Sequence, residues 1–262
     1  MSLRLFTIIV LFAASVMATG QADPEINQTD KQGWKQGSWI SKYPNGNIRY
    51  EGTFKDDHPV GEFKRYYEDN TLNSILIYST DGKVVDVTIY YPNGFISAEG
   101  RYVNQMKEGK WKFYSYSVKG YLINEEEYSK NVKNGLSLKF YTDSSIAEKV
   151  TYVNGKREGE WLKYYASGKI FLKSSYKGGL LNGKFEVWFE NGNPEFTGFY
   201  KNNLRECKWL IYNEDGSLRY ELNYTGGITK DRQMDIDAFD LINEMEKNKE
   251  KIADPEKTGV IR

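Results

Sequence analysis

Few side chains in this 262-residue chain are equipped for covalent or metal chemistry, which rests on one His and one Cys. A lone Cys excludes an intrachain disulfide, and the pair is too little for a multi-Cys zinc site or most His-based catalysis. His58 lies in the segment KDDHPVG beside Asp56 and Asp57, where a metal or acid–base role competes with that of a polar turn residue. The turn reading is the stronger, since a metal needs more ligands than one His can organise. Cys207 has two readings, a reactive or intermolecularly bridged thiol in an oxidising compartment or a small residue in a slot meant for Gly. The second is expected. Glu125-Glu126-Glu127 is an acidic triplet. Calcium requires oxygens converging from a loop, whereas strand alternation divides these three between two faces, so a solvated strand segment is expected. Gly178-Gly179 and Gly226-Gly227 lack the rest of a phosphate-binding loop and read as turn glycines. No catalytic, cofactor or metal site is expected, and the chain reads as non-enzymatic.

Aromatic residues are the constellation with binding chemistry. Tyr (21), Phe (13) and Trp (6) make up 15% of the chain. Rows of rings can stack on sugars, hold choline-like cations or anchor an extended peptide, and they can also simply form a core. The candidate interaction aromatics are Trp39, Tyr66, Tyr90, Trp111, Tyr114, Trp161, Tyr164, Trp188, Trp209 and Tyr212. Charge narrows the partner. Lys and Arg (36) balance Asp and Glu (36), so no net field recruits nucleic acid. A protein partner is expected, with an envelope glycan or lipid head group as the alternative.

The elements that must position these rings follow a repeat. Unit starts fall at Gly37, Gly61, Val85, Gly109, Gly135, Gly159, Gly183 and Cys207, each 24 residues apart except for 26 between Gly109 and Gly135. Within a unit the pattern is strand, turn, strand, turn. The sixth, GEWLKYYASGKIFLKSSYKGGLLN, shows an aromatic strand, a short loop ending in Gly and a partner strand. Such loops close antiparallel hairpins with a one-residue bulge. Asn70 replaces the loop Gly in unit two and Ser144 in unit five, where the turn is expected to be weaker or differently built. The extra residues of unit four fall in SYSVKG, where a longer hairpin tip absorbs them. Val85 and Val87 make unit three irregular, yet it still counts as a repeat.

One hairpin is marginal in water, so neighbours must pack side by side to bury their rings. The expected fold is all-β: tandem hairpins over residues 37–230 forming an elongated, twisted antiparallel sheet with a C-terminal amphipathic helix. A four-bladed propeller is the alternative, and an open array is preferred because nothing ties units in pairs. Residues 1–22 have one charge, Arg4, then an apolar run to Met17 and small residues, as in a signal peptide. The chain is therefore expected to be exported, periplasmic or at the cell surface, with no transmembrane span after cleavage. Residues 23–36 read as a linker or partial strand at Trp34. Residues 231–252 space Met234, Ala238, Leu241, Met245 and Ile252 as a helix that covers the sheet edge, and 253–262 as a flexible tail.

Segments such as YVNGKREGEWLKYYASGKI and YPNGNIRYEGTFKDDHPVGEFKRYY resemble variant MORN (membrane occupation and recognition nexus) repeats. The bacterial branch with this spacing is labelled a YwqK-type antitoxin family. The resemblance covers residues 37–230 and implies hairpin stacking and an interaction role, with an inhibitor of a partner protein as a further reading. It implies no catalytic residues.

Overall fold

The computed structural model describes residues 25–237 and 240. It contains one open antiparallel sheet in which each strand pairs with its chain neighbours. β1 (Gln28–Thr29) precedes the repeats. Unit one is β2 (Lys35–Lys42) and β3 (Ile48–Lys55), unit two β4 (His58–Tyr66) and β5 (Leu72–Tyr78). Units three and four are β6 (Val84–Tyr90) with β7 (Ile96–Val103), and β8 (Met106–Tyr114) with β9 (Leu122–Ser129). Units five and six are β10 (Val132–Phe140) with β11 (Ile146–Val153), and β12 (Lys156–Tyr164) with β13 (Ile170–Lys177). In unit seven the first strand is split at Asn182 into β14 (Leu180–Leu181) and β15 (Gly183–Trp188), both paired with β13. β16 (Pro194–Lys201), β17 (Leu204–Tyr212) and β18 (Leu218–Tyr224) complete the array, followed by a short helical turn over 232–237.

Turn chemistry fixes the two long edges. At one edge the hairpin tip closes with Gly46 N–H donating to Tyr43 O (2.9 Å) and Tyr43 N–H to Asn47 O (2.8 Å). Ser144 closes the same turn, N–H to Tyr141 O at 3.0 Å with φ 70°, so unit five is built like the others, with a non-Gly residue in the left-handed region. The SYSVKG insertion is a longer tip, closed by Ser115 N–H to Tyr121 O at 2.9 Å. The opposite edge uses two-residue turns with both φ positive, such as Asn202-Asn203 (52° and 66°), Gly178-Gly179 and Gly226-Gly227. These are the turns whose twist matches that of the flanking strands.

The Gly that opens most units sits in a bulge. Gly52 faces Phe63 and Thr53 faces Val60, so Gly61 and Glu62 are skipped, and Gly61 has φ 65°. Val85 needs no such freedom because β5 and β6 pair without a register shift. Cys207 occupies a bulge slot at φ 61° and is exposed, so the Gly-slot reading places it correctly but its semi-burial does not hold.

Tips are stapled from unit to unit by tyrosine hydroxyls. Tyr43 donates to Tyr66 O (2.9 Å), Tyr67 to Tyr90 O (2.8 Å), Tyr91 to Tyr114 O (3.0 Å), Tyr141 to Tyr164 O (2.6 Å) and Tyr165 to Trp188 O (2.7 Å). The other edge is tied by acids one residue before the unit start: Glu158 Oε2, before Gly159, accepts from Gly178 N–H at 2.6 Å, and Glu206 Oε2, before Cys207, from Gly226 N–H at 2.7 Å.

A single sheet has two faces, and one of them is the core. Its packing alternates large and small across strands. A Cβ at Gly52 would lie 2.1 Å from the Phe63 ring, and one at Gly100 or Gly198 would lie 2.2 Å from Trp111 or Trp209, so these aromatics lie directly on bare backbone. The core is divided into two clusters. One runs from Phe54 to Trp111, the other from Val150 to Tyr224. Between them the buried positions on this face are polar, Asn124, Glu126, Ser137 and Glu148, while the buried Ala147 lies on the opposite face.

The ends differ from expectation in detail. In the segment expected as a linker or partial strand, the chain before β2 folds back as the two-residue β1, with Gln28 opposite Gln36, and Trp34 is exposed in the connecting turn. The helix contacts the last unit through Asp235, while Met234 and Ile236 on either side are exposed. Of the expected apolar stripe only Met234 falls within the described residues, and the contact described there is the polar one made by Asp235. Residues 1–22, 253–262 and the remainder of the 231–252 helix lie outside the described residues. Among the described residues no helix is long and apolar enough to cross a membrane.

Candidate interaction face

Strand alternation sends the ten candidate aromatics to both faces. Trp39, Trp111, Trp161 and Trp209 lie on the core face. Trp111 and Trp209 are buried to 1% exposure and Trp161 to 9%, so these three are core rather than exposed anchors. Trp39 is partly buried and edge-on to Phe54 at 6.0 Å. Tyr66, Tyr90, Tyr114, Tyr164, Trp188 and Tyr212 lie on the opposite face, all partly buried. There Tyr66 donates to Glu51 Oε1 (2.6 Å) and Tyr114 to Glu99 Oε2 (2.6 Å), among surface ion pairs such as Arg101–Asp86 (2.7 Å). Burial first, then the carboxylate, pushes the Tyr66 hydroxyl up to about 12 and raises Tyr114 further.

A second column accompanies the core rings: a cation two residues before the unit start. Lys35 Nζ lies 4.9 Å from the Trp39 ring centroid, and Lys107 Nζ 4.5 Å from Trp111 and 4.9 Å from Tyr128. Lys133 Nζ lies 5.4 Å from Tyr152. Arg157 covers Tyr176 at 5.2 Å and Arg205 covers Tyr224 at 5.3 Å. Ring faces stabilise such cations by roughly 0.5–2 kcal/mol each, more when water is excluded. Burial lowers the Lys107 ammonium, with Glu126 opposing and Lys133 adding to the shift. The recurrence of Lys35, Lys107, Lys133, Arg157 and Arg205 at the repeat period was the available signal for this column, and reading the sequence for aromatics alone passes it by.

The polar interruption of the core forms a cleft of about 120 Å³ lined by Asn124, Glu126, Lys133, Ser137, Lys139, Glu148, Val150, Tyr152 and Arg157. Glu126 Oε1 pairs with Lys133 Nζ at 2.7 Å and Oε2 accepts from the Tyr128 hydroxyl at 2.6 Å. Glu148 accepts from Trp161 Nε1 at 2.7 Å and faces Lys139 at 3.6 Å. The expectation of a solvated triplet is corrected here: Glu126 is 6% exposed because Lys133 neutralises it, while Glu125 and Glu127 point to the other face as alternation requires. Asn124 is 7% exposed, and its Oδ1 has no hydrogen-bond partner among the described residues. A larger open depression of about 470 Å³ lies over units one and two, walled by Tyr50, Phe54, Phe63 and Tyr78 with Arg49 and Arg65.

The remaining candidates are quiet. His58 is exposed at the first position of β4, just after the Asp56-Asp57 turn rather than within it, and its Nδ1–H donates to Asp56 O at 2.6 Å. Among the described residues no group of three or more His, Cys, Asp and Glu is placed to hold a metal ion.

With this geometry in place, comparison with known families is informative. The family model described as MORN repeat variant matches residues 35–56, 59–80, 157–177, 181–202 and 205–225. These matches support a MORN-repeat protein. They fall on units one, two, six, seven and eight, and the polar cleft lies mainly in the unmatched stretch between them. No curated protein matches the chain.

Proposed function

We propose that the chain is a non-enzymatic scaffold that binds a protein partner along its core face, after export to the periplasm or cell surface. The observation that carries this reading is the column of cations held on ring faces along a single-layered sheet. Each cation brings charge to a surface whose rings supply area, and cations and aromatics are the groups that anchor protein interfaces. Repeat arrays distribute such anchors over a long surface. Residues 1–22 support the export part of the reading through their signal-peptide pattern. An antitoxin-like role would be the same contact made on a partner whose activity it blocks.

Affinity capture from a native envelope extract with the full chain as bait, read by mass spectrometry, tests this proposal. A reproducible protein partner is the expected result. Capture of glycan or lipid with no protein would replace it with an envelope-binding module. That second reading draws on the aromatic-walled depression over units one and two, which offers ring faces and arginines to a sugar or head group.

A further inference from the structure

We infer that Arg157 and the cleft beside it form a carboxylate-recognition site for an acidic segment of a protein partner, an assignment that rests on the scaffold reading above. The template for it lies within the molecule. In the last unit, the Arg205 guanidinium covers Trp209 at 5.4 Å and Tyr224 at 5.3 Å, and its Nη1 donates to the Tyr224 hydroxyl at 2.9 Å. A carboxylate completes that arrangement. Asp235 Oδ1 lies 2.9 Å from Arg205 Nη1 and accepts from the Tyr224 hydroxyl at 2.5 Å. Two units earlier Arg157 repeats each of the protein's own parts: it covers Trp161 at 6.0 Å and Tyr176 at 5.2 Å, and its Nη1 donates to the Tyr176 hydroxyl at 2.8 Å. Among the described residues no carboxylate pairs with it.

The chemistry of the vacant arrangement follows from that template. The Tyr176 hydroxyl accepts from Arg157 and keeps its own proton to donate, as Tyr224 does to Asp235. A carboxylate placed there would take charge-assisted bonds from both groups, the strong kind in a partly buried setting. Arg157 also lines the polar cleft, where Lys133 and Lys139 are matched by Glu126 and Glu148, so among the described residues the guanidinium is the cation of that lining that faces no carboxylate. In the same cleft the buried Asn124 Oδ1 lacks a donor. A peptide N–H or side-chain amide supplies that donor, whereas a simple anion brings none. The two features together select an acidic peptide over a free anion.

The test titrates the full chain with a blocked peptide TKDRQMDID, the sequence of residues 229–237, following the Arg157 Nε resonance by NMR. The expected result is a saturable shift at Arg157, weakened about tenfold or more by Asp235→Asn in the peptide or by Arg157→Gln in the chain. Arg157→Lys, which keeps the charge, retains part of the affinity, and Asn124→Leu lowers it. Acetate, as the bare-anion probe, binds more weakly and is indifferent to Asn124→Leu. The inference is overturned if the peptide moves Arg205 and leaves Arg157 unmoved, if acetate binds as well as the peptide, or if a folded Arg157→Gln chain keeps full affinity. A partner captured from extract equally by Arg157→Gln and the unaltered chain would also sink this site while leaving the scaffold reading intact. Peptide binding at Arg157 with no partner captured would do the reverse.

Discussion

Cys207 shows how local demand shapes a residue's fate. Its φ of 61° lies in the region where L side chains meet their own carbonyl, and the neighbouring units answer that demand with Gly. Cys207→Gly is expected to raise stability by about 0.5–1 kcal/mol, the left-handed penalty of roughly 1–2 kcal/mol less the entropy that Gly adds to the unfolded chain. A urea midpoint that rises at constant slope would confirm it, and an unchanged midpoint would show that the bulge relaxes around Cys. Gly100 faces the opposite constraint. Its backbone dihedrals are ordinary, but an added Cβ would sit 2.2 Å from the Trp111 ring, which is itself 1% exposed and has nowhere to move. Gly100→Ala is expected to cost about 2–3 kcal/mol by overpacking, measured by the same denaturation. Both glycine roles were present in the sequence, but only the repeat-start role was legible, since it recurs in most units. The role at Gly52, Gly100 and Gly198 was hidden because Leu, Val, Ser and Glu fill the equivalent slot elsewhere. Glu126 misled for a related reason: alternation placed it correctly, but its partner Lys133 lies across a turn and a bulge that no local pattern announces.

Individual hairpins are held to their neighbours by edge bonds as well as by the sheet ladder. The doubled aromatics that end many first strands divide the labour. One, such as Tyr164, belongs to the strand, and the next, Tyr165, reaches over to staple the following tip. Tyr141→Phe keeps the ring and deletes its 2.6 Å bond to Tyr164 O. The expected loss is about 1 kcal/mol, with faster amide exchange at the unit-six tip and no change in unit one. Loss spread evenly along the array would contradict a local staple. Period, hairpin tips and the long tip of unit four were legible in the sequence because Gly, Asn and Pro carry their own dihedral preferences. The C-terminal helix was legible in place but not in mode of attachment. The expected apolar seam ran from Met234 to residues outside the described part, and within that part Asp235 makes the contact, through an Arg–Tyr pair contributed by a unit start and a strand end far apart in sequence.

Over the whole molecule, tyrosine hydroxyls form a distributed set of proton-retaining groups. Burial first and neighbouring acids next push Tyr66, Tyr165 and Tyr224 up to about 12, and others upward to lesser or greater extents. Because the folded values exceed the unfolded value of about 10, the stability they contribute is complete below pH 10 and is lost as pH climbs through the folded values. Melting temperature is therefore expected to hold steady from neutral pH to about 10 and to fall toward pH 12. Phenolate absorbance recorded in parallel would show ionisation accompanying unfolding, and free ionisation near pH 10 in the folded chain would contradict the assignment.

The division of the apolar spine has a further meaning. Phe54 to Trp111 and Val150 to Tyr224 are two separate apolar blocks, parted on that face by the ion pairs and the unpartnered amide oxygen of β9, β10 and β11, while the strand ladder runs on through them. In a protein whose strands communicate mainly with their neighbours, such a seam weakens the transmission of cooperativity. The array is then expected to open as two foldons in series, each able to open while the other stays closed. A ligand lodged in the seam would act as a clasp, and its occupancy would be felt as one molecule melting where there had been two.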